Sequence, residues 1–183
     1  QLLSFFGRIN YTFMERYLLT FTLRGDATSR FSKDNRWGVF PAVALGWKIN
    51  DEAWMQGAAS VLSDLKLRLG WGQTGQQDVG TTNNYLPTYT VSQPGSYYPG
   101  GLNGGWLTPY FPNGFNKDLT WETTTTWNAG LDYGFLNNRI TGSIEAYLRN
   151  TTDLLSTVEV PAGSSTVSRL PQNIGSMRNY GVE

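Results

Sequence analysis

The chain is 183 residues long, room for one or two ordinary domains, and is 14% aromatic but only 15% charged. Its Lys and Arg total 14 and its Asp and Glu total 14, so it lacks the basic excess with which a nucleic-acid binder displaces counterions. With no cysteine and no histidine, it can build no disulfide, no zinc–thiolate site and no histidine-based triad.

Strand-like alternation begins at once. Over about 3–13, Leu3, Phe5, Ile9, Tyr11 and Phe13 share one side, and Arg8, Asn10 and Thr12 the other. Residues 14–16 read as a short turn. A second run, about 17–26, sets Tyr17, Leu19, Phe21 and Leu23 against Thr20, Thr22, Arg24 and Asp26. After a polar link at 27–35, a third run over about 36–49 aligns Trp37, Val39, Val43, Leu45, Trp47 and Ile49, with Pro41 predicting an irregular ladder. A medium connection at 50–63 leads to a fourth run, about 65–72, where Leu65, Leu67, Leu69 and Trp71 alternate with Lys66, Arg68 and two glycines. A long segment rich in Gly, Pro, Asn and Tyr covers 74–117. The fifth and sixth runs, about 119–133 and 139–149, form a hairpin turning at 136–138. Beyond 150–172 the string NIGSMRNYGVE opens a seventh strand.

The charges of the first six runs, from Arg8 and Arg24 to Glu145 and Arg149, fall on the polar side, and none falls on the aromatic side. The connections alternate between a short end (14–16, 50–63, 134–138) and a long end (27–35, 74–117, 150–172), as in outer-membrane barrels. Trp37, Trp47, Trp71, Trp121, Tyr17 and Tyr133 near the strand ends fit interfacial girdles. No run of about 18 apolar residues marks a membrane helix, but barrel strands alternate and escape that criterion. The expected fold is therefore all-β: an antiparallel, up-and-down transmembrane β-barrel with long extracellular loops. In its hairpin Trp121, Trp127, Leu131, Tyr133, Ile140, Ile144 and Leu148 would meet lipid, while Glu122, Thr124, Thr126, Asn128 and Asp132 would face water. The alternative is a secreted β-sandwich carbohydrate-binding module whose apolar faces pack on each other.

The string DLTWETTTTWNAGLDYGFLNNRITGSIEAYLRNTTDLL resembles the late-barrel hairpin of SusC/RagA-like TonB-dependent outer-membrane transporters. GRINYTFMERYLLTFTLRGDATSRFSKDNRWGVFPAVALGWKINDE is similar to earlier strands of that family, and LKLRLGWGQTGQQ and NIGSMRNYGVE to later ones. The resemblance implies a barrel of about 22 strands with an internal plug. It also implies a SusD-like lipoprotein lid, energy relayed by TonB, and import of glycans or peptides across the outer membrane of a Gram-negative bacterium. On that basis residues 1–183 are a partial transporter barrel of about seven strands, with the plug domain and signal peptide absent. Transport, not catalysis, is the expected role.

Three motifs have bland explanations. Gly70–Gly75 fits G-x-G-x-x-G, but loop sequence follows it instead of a helix, so the glycines read as small lumen-facing residues. The sequons at Asn10 and Asn150 are incidental in a bacterial barrel. Glu122, Asp132 and Glu145 are exposed acids with basic neighbours, without the desolvated pocket that a general acid requires. No catalytic, cofactor-binding or metal-binding residue is expected. The candidate contacts for substrate or lid lie in the long loop: Tyr97, Tyr98, Trp106, Tyr110 and Phe111 could stack on sugar rings or grip peptide side chains, with Asn103 adding amide hydrogen bonds. Packing of the loops on themselves is the competing role.

Overall fold

The computed structural model describes residues 1–58, 61–78, 84–91, 98–99, 106–107, 109–161, 167 and 169–183, without the side chains of 98–99 and 106–107. The first strands are β1 (Leu2–Phe13), β2 (Tyr17–Thr28), β3 (Trp37–Lys48) and β4 (Leu62–Gln76). Short strands follow within the long loop: β5 (Tyr89–Val91), β6 (Tyr98–Pro99), β7 (Trp106–Leu107) and β8 (Tyr110–Pro112). Then come β9 (Glu122–Phe135), β10 (Ile140–Thr152), β11 (Leu155–Glu159), β12 (Arg169–Asn173) and β13 (Ser176–Val182). One seven-stranded antiparallel sheet runs β1-β2-β3-β4-β9-β10-β13, and β5–β8, β6–β7 and β11–β12 pair as small hairpins beside it. The strands exceed the expected runs: β4 starts at Leu62 and reaches Gln76, and β10 reaches Thr152.

The turns are tight at one end. Arg16 N–H donates to Phe13 O at 3.2 Å across Met14 and Glu15, both left-handed at φ 50° and 57°, the hairpin conformation that matches strand twist. Leu136, Asn137 and Asn138 share that region at the other short turn, where asparagine tolerates it best. The connection after β3 holds two 3-10 turns, Ile49–Asp51 and Ala53–Ala58, so Ile49 belongs to a turn and not to the apolar face expected for it.

Directly paired residues point to the same side of an antiparallel sheet. The register therefore strings Phe13, Tyr17, Trp47, Leu67, Leu131 and Ile144 into one row. The next rows are Tyr11-Leu19-Leu45-Leu69-Ala129-Ala146 and Ile9-Phe21-Val43-Trp71-Trp127-Leu148. This face is bare: Ile9 is 66% exposed, Trp127 54% and Ile144 53%. No second sheet covers it among the described residues, which removes the sandwich alternative. The apolar band is also oblique to the rows. The row of Tyr17 reaches Ile144 four strands on, and the apolar run of β10 continues four residues further, to Ile140. At about 3.4 Å per residue and about 4.8 Å per strand, that offset is a tilt of about 35°, within the barrel range.

Pro41 shapes the loop end. It pairs with Leu23 of β2, but the β3–β4 ladder runs only from Ala42 to Lys48. The donor that proline lacks faces β4, and the ladder stops there. Phe40 fills the resulting gap: a Cβ on Gly75 of β4 would sit 2.0 Å from its Cζ, so only glycine fits. Trp121 packs edge-on against Phe40 and Phe31, with centroids 5.4 and 5.7 Å away, and Leu119 completes the cluster. The expectation that Trp121 meets lipid or an interfacial girdle is thus corrected. It precedes β9, is 5% exposed, and its indole N–H donates to Arg36 O at 3.3 Å. The hairpin thus has a small protein core at its loop end.

At the turn end Glu52 ties three elements together. It accepts hydrogen bonds from the Tyr17 hydroxyl (2.6 Å), the Trp47 indole N–H (3.0 Å) and the Arg16 guanidinium (2.8 Å). The two rings stack at 6.3 Å with their polar edges turned to this carboxylate, as suits an aromatic belt. Those bonds, the tyrosine's first and the indole's second, hold the Glu52 carboxyl below its usual pKa, with the Arg16 charge helping and burial opposing.

Two outcomes follow from this arrangement. Leu131→Arg on the bare face should destabilise a bilayer-embedded full-length barrel by about 2–4 kcal/mol. Ser143→Arg, which faces Asp132 on the other side, should cost far less; folding titrations in lipid would compare them. Because the folded-state pKa of Glu52 is lowered, its contribution is complete above about pH 4.3 and vanishes as the pH falls through the folded value. Glu52→Gln should therefore be less stable than wild type at neutral pH and converge with it in acid, as read from melting curves against pH.

Candidate functional site: the polar wall and its loop end

The opposite face of the sheet is polar. Its rows are Thr12-Leu18-Gly46-Arg68-Gly130-Glu145, Asn10-Thr20-Ala44-Gly70-Asn128-Tyr147 and Arg8-Thr22-Ala42-Gly72-Thr126-Arg149. The small residues leave room for long neighbours. The Asn128 amide lies where a Cβ on Gly70 would go, 2.0 Å from its Oδ1, and Arg68 lies across Gly130 in the same way. Arg68 is the hub of this wall. Its Nε and one terminal nitrogen each donate to Asp132 at 2.9 Å, and the second also meets Glu145. Other polar side chains of this wall bond to a neighbour, Arg8 to Thr22 at 3.2 Å, Thr20 to Asn10 at 2.9 Å and Thr124 with Thr151 at 2.8 Å.

The three acids singled out from the sequence are thus separated in role. Asp132 and Glu145 share Arg68, whereas Glu122 accepts from the Leu155 N–H at 3.1 Å and anchors β11 at the loop end. Gly70 and Gly72 line the polar wall within β4, as small lumen-facing residues should, and no helix follows among the described residues. Phe6 breaks the pattern. It sits opposite Arg24 on the polar face and is 76% exposed, and no alternation in the sequence marks it.

Beyond the sheet the long connections are organised by side-chain amides. Asn173 accepts from the Thr120 N–H at 2.9 Å and donates to Thr120 O and Asp153 O, each at 2.9 Å. Asn116 donates to Pro171 O, and Asn35 to Leu119 O. These bonds tie the β2–β3 loop, the approach to β9 and the β11–β12 hairpin to the Phe40–Trp121 cluster. Of the predicted contact residues, Tyr110 and Phe111 lie on β8, paired with Val91 and Thr90 and exposed by 65% and 55%. Tyr89 and Val91 of β5 are equally open, so the hairpin offers an apolar surface at the mouth. Tyr98 and Trp106 lie on the paired β6 and β7, and their side chains, like Tyr97 and Asn103, fall outside the described residues. Sequence reading missed the Asn173 clamp and the Arg68 hub, since no short-range pattern signals partners 53 and 77 residues apart.

The hub can be measured. Arg68, Asp132 and Glu145 are 37%, 31% and 39% exposed, so water screens them substantially. Arg68→Met leaves two carboxylates at diagonal positions without their shared cation and should cost about 1 kcal/mol at low salt, more than Asp132→Asn alone. The deficit should shrink at about 1 M salt, where charges are screened within about 3 Å.

Comparison with known proteins gives a consistent answer. A sequence model described as "TonB dependent receptor-like, beta-barrel" matches residues 1–183. The TonB-dependent receptor SusC of Bacteroides thetaiotaomicron is 56% identical over 182 residues, which is 100% of this chain and 18% of that protein. TonB-dependent receptor P26 of Formosa agariphila is 37% identical over 185 residues, again 100% of this chain and 18% of the relative. Solved structures of the RagAB peptide importer in its closed-closed and open-open states superpose with TM-score 0.83 in each case. They share 32% identity, covering 99% of this chain and 19% of theirs. The chain thus spans about a fifth of the length of these relatives. It belongs to the TonB-dependent receptor-like β-barrel family.

Proposed function

We propose that this chain is part of the barrel wall of an outer-membrane, TonB-dependent importer of glycans or peptides. The observation that carries the reading is the 56% identity to SusC along the whole chain, on a sheet with one bare apolar face and one polar face. In this reading residues 1–183 are barrel, and the plug and the TonB-contacting segment belong to other parts of the full-length protein. The apolar rows meet lipid, and the Arg68 wall faces the plug or the path of a polar solute. The short turns stand in the periplasm and the hairpins outside, where a SusD-like lipoprotein closes the mouth. RagAB is named a peptide importer, which favours keeping both solute classes open. Tyr110 and Phe111, with Tyr97, Tyr98, Asn103 and Trp106 from the same loop, are the proposed contacts for solute or lid.

The full-length protein should fractionate with the outer membrane and require detergent for extraction; recovery in detergent-free soluble extract would refute the barrel assignment. The double change Tyr110→Ala and Phe111→Ala should weaken binding of the solute or of the lid about tenfold, ~1.4 kcal/mol, at unchanged membrane abundance. Calorimetric titration with oligosaccharides, oligopeptides and the purified lid separates these contacts. Unaltered affinity for all three would remove β8 from the site.

A further inference from the structure

The bare face carries one more feature. Across β4, β9 and β10 it dips into a concavity of about 580 Å³, because Ala129 and Ala146 stand in a row otherwise built of Leu19, Leu45 and Leu69. Its walls are apolar, and its loop-side rim is formed by Trp71 and Trp127, with centroids 5.9 Å apart. One step beyond the rim, towards the loops, the face changes character. The next row is Gln73, Thr125, Asn150 and Arg178, and the Gln73 amide donates to the Thr125 hydroxyl at 3.3 Å. Arg178 is exposed and is the single charged residue on this face of the sheet among the described residues. On its β10 side, among the described residues, no acidic side chain shares that face with it. The charges of the first six strands all lie elsewhere, so this arginine breaks the pattern that otherwise defines the wall.

An apolar groove, an indole rim and a lone cation beside two amides and a hydroxyl together describe an amphiphile with a chain and an anionic head. The geometry points to a seat for one phosphate-bearing lipid of the leaflet at the long-loop end. An acyl chain lies along Ala129 and Ala146, and the phosphate meets Arg178, Asn150 and Gln73. Tryptophan at the rim is where a ring has one apolar and one wet neighbour. A second copy of this chain fits less well. An isologous contact centred on this row would bring Arg178 onto its own copy, since among the described residues this face has an arginine and no acid to answer it. The inference rests on the reading that this face meets lipid, and extends it from bulk solvent to a specific ligand.

The test uses the full-length protein extracted from its own membrane in mild detergent and washed through several detergent exchanges. Native mass spectrometry and a phosphate assay then count retained lipid. Wild type should keep about one phosphorylated lipid per barrel. Arg178→Glu should lower that retention about tenfold and Arg178→Gln by less, as expected for removing a basic contact at a charged surface. Ala146→Trp, which fills the groove and leaves the cation in place, should lower it as well. Heat-modifiable electrophoretic mobility checks that each variant is a folded barrel. Retention equal to wild type in a folded Arg178→Glu or Ala146→Trp protein overturns the seat. So does a wild type that carries no phosphorylated lipid, or one that pairs through this face into dimers. A protein that needs no detergent at all would instead sink the barrel reading beneath it.

Discussion

The wall depends on a single requirement: each strand's backbone donors and acceptors must be met by its neighbours, because an apolar surrounding offers no substitute. Six antiparallel ladders fulfil it, and the longest, β4 with β9, runs from Leu62 to Gln76. Once the ladders fix the register, the direction of every side chain is settled with it. A slip by one residue would exchange the Leu131 row for the Arg68 row and place charges where lipid is expected. The register therefore does for this sheet what a core does for a soluble domain. Among the described residues the buried apolar cluster is small: Phe31, Phe40, Leu119 and Trp121.

Each end of the sheet secures that register differently. At the turn end the anchor is polar: Glu52 collects Arg16 of the β1–β2 turn, Tyr17 at the start of β2 and Trp47 near the end of β3. At the loop end it is aromatic, with Phe40 and Trp121 meeting edge to face. Between them the Arg68 hub joins β4, β9 and β10 across the polar side. The same sheet superposes equally on the closed-closed and open-open states of RagAB.

Much of this was legible in the sequence, for a physical reason. Alternation with period two is imposed by the strand itself, so Leu65, Leu67, Leu69 and Trp71 announced their side without reference to anything distant. Connection lengths told the two ends apart. Alternation assigns Trp121 to the apolar side, but the residue stands one position before β9, where the chain leaves the ladder and turns its indole onto Phe40. The hairpins of the long loop were invisible, since strands of two or three residues carry no periodicity. Pro41 announced an irregular ladder, but not that Phe40 and Gly75 would fill the opening. The contact surface at Tyr110 and Phe111 was visible only as composition, and its pairing with Tyr89–Val91 had no local signal.

Pro41 gives the sheet two kinds of joint. Below it, towards the turns, β3 and β4 are held by directional bonds that fail if the strands slide. Above it, the same two strands meet through the flat ring of Phe40 lying over Gly38 and Gly75. The seam between β3 and β4 is therefore bonded on one side of Pro41 and packed on the other, while each strand stays laddered to its outer neighbour as far as Trp37 and Gln76.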